Sequence, residues 1–161
     1  MCIRDRGLFA DHQMETVWGM HNWPGLPAGE IAVSEGASMA SADHFEMTVT
    51  GRGGHAAMPH QAIDPVLAAA HIVQALQMLV SRHTNPQDSS VLSITTIHGG
   101  SAFNVIPDEV KLGGTVRAFR PETRASLEQS LRDVSRFTAE AHGCTVALDW
   151  RKGYPPTVNH K

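Results

Sequence analysis

Cysteine is almost missing from this sequence: Cys2 and Cys144 are the only two among 161 residues. With no Cys-x-x-Cys spacing they make neither a disulfide framework nor a thiol redox motif, and Cys144 reads as a small apolar residue entering a strand. No apolar run approaches the roughly 18 to 20 residues that a membrane-spanning helix needs. The N-terminus lacks the basic-then-apolar order of a secretory signal. Long basic runs are absent too, and the net charge is −3. That balance offers no electrostatic footprint for nucleic acid and no polybasic anchor for a membrane surface. The expectation is a cytoplasmic chain of ordinary domain length, acting on small molecules or proteins, with no nucleic-acid or membrane partner.

What the sequence has in excess is histidine, ten in all. Imidazole is the side chain best suited to metal binding and to proton transfer near neutral pH, so the enrichment favours chemistry without locating it.

Hydrophobic period organises the middle of the chain. Residues 44–49, HFEMTV, alternate strictly, with Phe45, Met47 and Val49 on one face, which predicts a half-buried strand. After the glycine-rich stretch at 51–54, Asp64-Pro65 supplies an N-cap and a first-turn proline. Val66, Ala70, Val73, Leu76 or Gln77 and Val80 then recur at helical spacing, predicting a helix over 65–82. Residues 91–98 read as a strand closed by Gly99-Gly100. A further extended run follows Pro107, carrying Val110, Leu112, Val116 and Phe119, with Gly113-Gly114 marking a bulge or a close backbone approach. Pro121 opens a second helix on Leu127, Leu131, Val134, Phe137 and Ala141, with Gly143 at its C′ position. Residues 144–150 alternate as a last strand. The order is β-α-β-β-α-β, an α+β fold of ferredoxin-like type with two helices on one face of an antiparallel sheet. No internal repeat or low-complexity segment is present. The flanks, rich in proline and glycine, read as pieces of something larger.

The stretch GRGGHAAMPH at 51–60 places His55 and His60 around a small-residue loop. Taken alone it is compatible with a turn, a substrate loop or a metal site. Its context narrows the choice. Gly19-Met20-His21-Asn22-Trp23-Pro24, then Gly51-x-Gly-Gly-His55-Ala-Ala-x-Pro59-His60, then Gly99-Gly100-x-Ala-x-Asn104-Val-Ile-Pro107-Asp108, then Gly114-Thr-Val-Arg117 follow one another in order. With these four motifs the chain resembles the amidohydrolases of the aminoacylase, hippurate hydrolase and carboxypeptidase superfamily, dinuclear metallopeptidases whose catalytic domain carries an inserted dimerisation domain.

The resemblance implies a division into residues 1–42, part of a catalytic domain, 43–150, the ferredoxin-like dimerisation domain, and 151–161, the start of the return to the catalytic domain. It implies two divalent ions per site (Mn, Zn, Co or Ni), a small N-acyl amino acid or amide substrate, and a homodimer. His21 is then a metal ligand. His55 becomes the catalytic group whose ring N–H stabilises the tetrahedral oxyanion, often in the other subunit's cleft. Asn104 and Arg117 become substrate contacts, Arg117 through a bidentate bond to a carboxylate. Read without the resemblance, Asn104 is a turn residue, Arg117 is half of a sheet-face ion pair, and His60 caps or packs the loop. Several implied features are missing. Cys2 is followed by Arg4 where a Cys-x-His pair would stand, no Glu-Glu pair occurs, and no late histidine ligand follows. The chain is therefore expected to be an inactive internal piece of the enzyme, with residues 1–6 an artefact of the gene model. The competing reading is a free-standing ferredoxin-like association module without chemistry.

Overall fold

The computed structural model describes residues 7–159; residues 1–6, including Cys2 and the expected artefact, lie outside the described part. The chain divides into two compact units, one up to Val33 and one from Ser34 onward. In the first, the single-turn helix α1 (Leu8–Asp11) is followed by turns and extended chain with no further helix or strand.

The second unit opens with β1 (Gly36–Met39) and β2 (Asp43–Thr50), continues through β3 (Gly54–His55) to α2 (Pro65–Met78), and returns along β4 (Ser90–Gly99), β5 (Val105–Ile106) and β6 (Glu109–Ala118). It ends with α3 (Pro121–Ala141), β7 (Thr145–Arg151) and β8 (Thr157–Asn159). The central sheet has the order β4-β6-β2-β7 with every neighbour antiparallel. This is the ferredoxin-like order expected from the alternation of strands and helices: the β2-α2-β4 connection leaves a gap that β6 later fills, and the β6-α3-β7 connection crosses over β2. Phe45, Met47, Val49, Val110, Leu112 and Val116 from the sheet bury against Ile72, Leu76, Leu127 and Leu131 from the helices. Asp64 caps α2 by accepting from the Val66 and Leu67 amides. Gly143, at φ 72°, ends α3 in the left-handed conformation that suits glycine.

Three sequence expectations shift in detail. The buried face of α2 is Ala68, Ala69, Ile72 and Leu76, continued by Leu79 in the π-helical turn Leu79–His83, while Val66 and Ala70 are exposed. Residues 65–80 are apolar on nearly every side, so period alone does not set the phase. On α3, Ser135 and Ala139 take the buried positions and Phe137 is 57% exposed, its ring lying 4.0 Å under the Arg136 guanidinium. The bulge sits on β4, where the register slips between Ile94 and Thr96 opposite Gly114 and Gly113. The glycine pair supplies the close approach instead: a Cβ on Gly114 would meet the Phe45 ring at 2.5 Å.

The short strands were not foreseen. β1 pairs with β8 in a separate two-stranded ribbon, and β3 pairs with β5. Both ribbons depend on partners far away in sequence, and segments of two to four residues carry too little period to be read locally.

Candidate functional site

The glycine-rich loop leaves the end of β2 and is tied down almost residue by residue. The Gly51 amide donates to the Asp108 carbonyl at 2.8 Å. Arg52 and Ile63 exchange backbone bonds of 2.9 and 2.8 Å. The Gly53 amide donates to the Asp108 carboxylate at 2.8 Å. His55 then pairs with Val105, and the Ala56 amide donates to the Asn104 carbonyl at 3.0 Å. Residues near 55 and residues near 104 are thereby stitched into one exposed rim at one end of the sheet. Asp108 closes this stitch from both its backbone and its side chain. It was not singled out from the sequence, although the Pro107-Asp108 pair just before a strand was the available sign.

The His55 ring is fixed in a particular way. The Ala57 amide donates to His55 Nδ1 at 3.1 Å, so a neutral ring carries its proton on Nε2. That N–H is the free hydrogen-bonding edge of an exposed side chain. Asn104 is likewise exposed, and its side-chain amide has no protein partner among the described residues. His60 lies in a one-turn 3₁₀ helix, Pro59–Gln61, exposed and outside any capping bond.

Arg117 is not part of this rim. It stands on β6 opposite Val91, on the face of the sheet away from the helices, and it forms no ion pair among the described residues. From Asp108 to Arg117 the chain runs the length of β6, on the order of 30 Å at about 3.3 Å per residue.

His21 belongs to the first unit. Its Nδ1 lies 2.8 Å from the Asn22 carbonyl, a contact that requires a proton on Nδ1 and leaves Nε2 with a lone pair. Trp23 meets the ring edge-on at 5.8 Å. A backbone carbonyl fixing the tautomer of a histidine is the arrangement typical of metal-ligating imidazoles, so this side chain fits a role as one ligand. No group of three or more His, Cys, Asp or Glu able to hold an ion occurs among the described residues.

Cys144 offers no competing chemistry. Burial pushes its thiol up, with Asp64 adding to the effect, and a thiol kept protonated is a poor nucleophile.

Comparison with known proteins agrees with this architecture. The family model for a peptidase dimerisation domain matches residues 40–143. The IAA-amino acid hydrolase ILR1-like 2 of Arabidopsis thaliana is 44% identical, the match covering 99% of this chain and 36% of that protein. The N-acetylcysteine deacetylase of Bacillus subtilis is 40% identical over 91% of this chain and 38% of its own length. Among solved structures, the Bacillus subtilis YXEP protein, described as a dinuclear metal binding peptidase from the M20 family, superimposes with a TM-score of 0.68 at 36% identity, covering 88% of this chain and 34% of that one. The chain thus spans little more than a third of the length of these relatives. With the ferredoxin-like sheet, the stitched histidine loop and these likenesses together, the chain belongs to the M20 peptidase family and carries its dimerisation domain.

Proposed function

We propose that the protein of which this chain is part hydrolyses the amide bond of N-acyl amino acids or related amides with the help of two divalent ions. Residues 43–150 are its dimerisation domain, and residues 1–42 and 151–161 belong to its catalytic domain. His55 is the oxyanion donor, Asn104 and Arg117 contact substrate, and His21 is one metal ligand. The observation that carries the reading is the bond from the Ala57 amide to His55 Nδ1. It holds the proton on the outward nitrogen without help from any other side chain, which is what a donor to a developing oxyanion requires. The names of the relatives support the substrate class: IAA-amino acids and N-acetylcysteine both carry an acyl group on an amino acid.

Asn104 sits next to His55 through the β3–β5 pairing and can donate to a carboxylate or carbonyl of the same substrate. Arg117 lies at the far end of β6, so in a homodimer it serves a different cleft from the one that His55 of the same chain enters. The ions, when bound, would polarise the scissile carbonyl and lower the pKa of water; Mn, Zn, Co and Ni all accept imidazole.

The test is hydrolysis of N-benzoylglycine by the manganese-loaded enzyme in its full length. His55→Gln is expected to lower kcat by about 10²–10³ with a smaller change in KM, the effect of losing one oxyanion donor. Unchanged kcat in that variant would remove His55 from the reaction. No activity in the unaltered enzyme would favour the association module without chemistry.

A further inference from the structure

We propose that His71 and His142 form a chelate for a divalent ion of the imidazole-preferring kind, Ni²⁺ or Cu²⁺, that clips α2 to the end of α3. His71 lies on the exposed side of α2, and His142 is the residue that ends α3. Their ring nitrogens, Nδ1 of His71 and Nε2 of His142, stand 2.6 Å apart. The rings are inclined at 64° with centroids 4.5 Å apart. Two histidines from different elements therefore point their nitrogens at one another across the seam between the helices.

The backbone under each ring is held. His71 adjoins the buried Ile72. The His142 amide donates to the Ala139 carbonyl at 2.9 Å, and the buried Cys144 thiol lies 3.9 Å from the His142 carbonyl and 3.8 Å from that of Asp64. The side chains retain the freedom to open. Two nitrogens bound at about 2.05 Å to one ion, in positions about 90° apart, stand ~2.9 Å from each other. The observed pair is a few tenths of an ångström short of that value, and the two rings, whose nitrogens now face each other, must also turn so that both lone pairs converge on the ion. A tetrahedral ion would require ~3.3 Å, so a square-planar or octahedral ion fits better.

Proton bookkeeping is consistent with neutral rings. As a hydrogen-bonded pair, one facing nitrogen carries the proton and the other accepts it. To bind an ion both facing nitrogens must be bare, so one ring changes tautomer and no net proton is released. No third ligand joins them among the described residues. The Asp64 carboxylate is engaged in capping α2, and water would complete the coordination. Neither histidine takes part in the loop that carries His55, so the clip stands apart from the proposed hydrolysis.

The experiment is thermal unfolding of the 161-residue chain with and without NiCl₂, reversed with EDTA. The unaltered chain is expected to melt about 5 °C higher at an ion concentration some tenfold above the dissociation constant. His71→Gln and His142→Gln should each lose most of that gain, and His83→Gln, at an exposed histidine outside either site, should keep it. No shift in the unaltered chain, or a full shift in either of the first two variants, overturns the proposal. Should either variant melt too low to compare, paramagnetic broadening of the imidazole resonances of the unaltered chain by substoichiometric Ni²⁺ decides. Both histidines broadening together at the same Ni²⁺ level support the chelate, and broadening of one or neither overturns it.

Discussion

Asp43 is the most deeply buried ionisable carboxylate among the described residues. It is fully buried at the start of β2 and accepts from Arg124 Nε at 2.7 Å, from Arg124 Nη2, and from the Gly153 amide at 2.9 Å. Burial alone would push the carboxyl up, but the Arg124 hydrogen bond, the Gly153 amide and the charges of Arg124 and Lys152 outweigh it and leave the group below its ordinary value. A carboxyl lowered in the folded state contributes stability above its unfolded pKa, and that contribution disappears as pH falls through the folded value. Asp43→Asn is therefore expected to cost about 3 kcal/mol at pH 7, because it strands a mostly buried guanidinium. The cost should shrink at pH values acid enough to protonate the native carboxyl. Urea midpoints of both proteins at pH 7 and below pH 3 measure this directly, and an undiminished difference in acid would contradict it. The same residue shows a limit of sequence reading. Asp43 precedes the alternating stretch and looks like a strand-end polar residue, and nothing local announces a partner on α3.

At the level of elements, alternation and helical period carried the four long strands and both long helices, together with their ferredoxin-like order. What they did not carry was phase. On α3 the pattern offered Phe137 as a core position, yet the helix turns Ser135 and Ala139 inward, and Phe137 lies outside against Arg136. The two leucines that hold the period, Leu127 and Leu131, are the positions that pack. Leu131→Ala is expected to destabilise by about 2–5 kcal/mol as a buried cavity. Phe137→Ala should cost no more than about 1 kcal/mol, the scale of an exposed cation–π contact. Chemical denaturation of the two variants separates them, and comparable losses would restore Phe137 to the core. The candidate site was legible to a different degree. The spacing of its glycines and prolines marked both halves of the rim, His55 and Asn104, but the carboxylate of Asp108 that joins them is visible only once β3 and β5 pair.

At the scale of the whole molecule, the two edges of the central sheet differ. β7 presents Asp149 and Arg151, which pair with each other at 2.8 Å, and charge on an edge discourages further strand addition. β4 is a ten-residue edge with Val91 and Ile97 exposed. An edge of that length and composition is a template for a second copy, so the homodimer expected of a dimerisation domain is predicted to form along β4. Ile97→Lys should shift sedimentation from dimer to monomer, whereas Asp149→Lys should leave the dimer in place. No helix among the described residues is long and apolar enough to cross a membrane.

The ribbon of β1 and β8 has a mechanical meaning. Gly36 faces Asn159, and the Asn159 side-chain Nδ2 donates to the Ser34 carbonyl at 2.8 Å, so the chain enters and leaves this unit side by side. Traction applied to the two flanks peels the ribbon open one backbone bond at a time instead of shearing all its bonds together. Beyond it the load meets His44 opposite Arg151 on β2 and β7, again in peeling geometry, with the bonds from Asp43 to Arg124 and Gly153 as the first firm stop. The unit thus behaves as a soft coupling under tension, yielding early at its ends while its core stays intact.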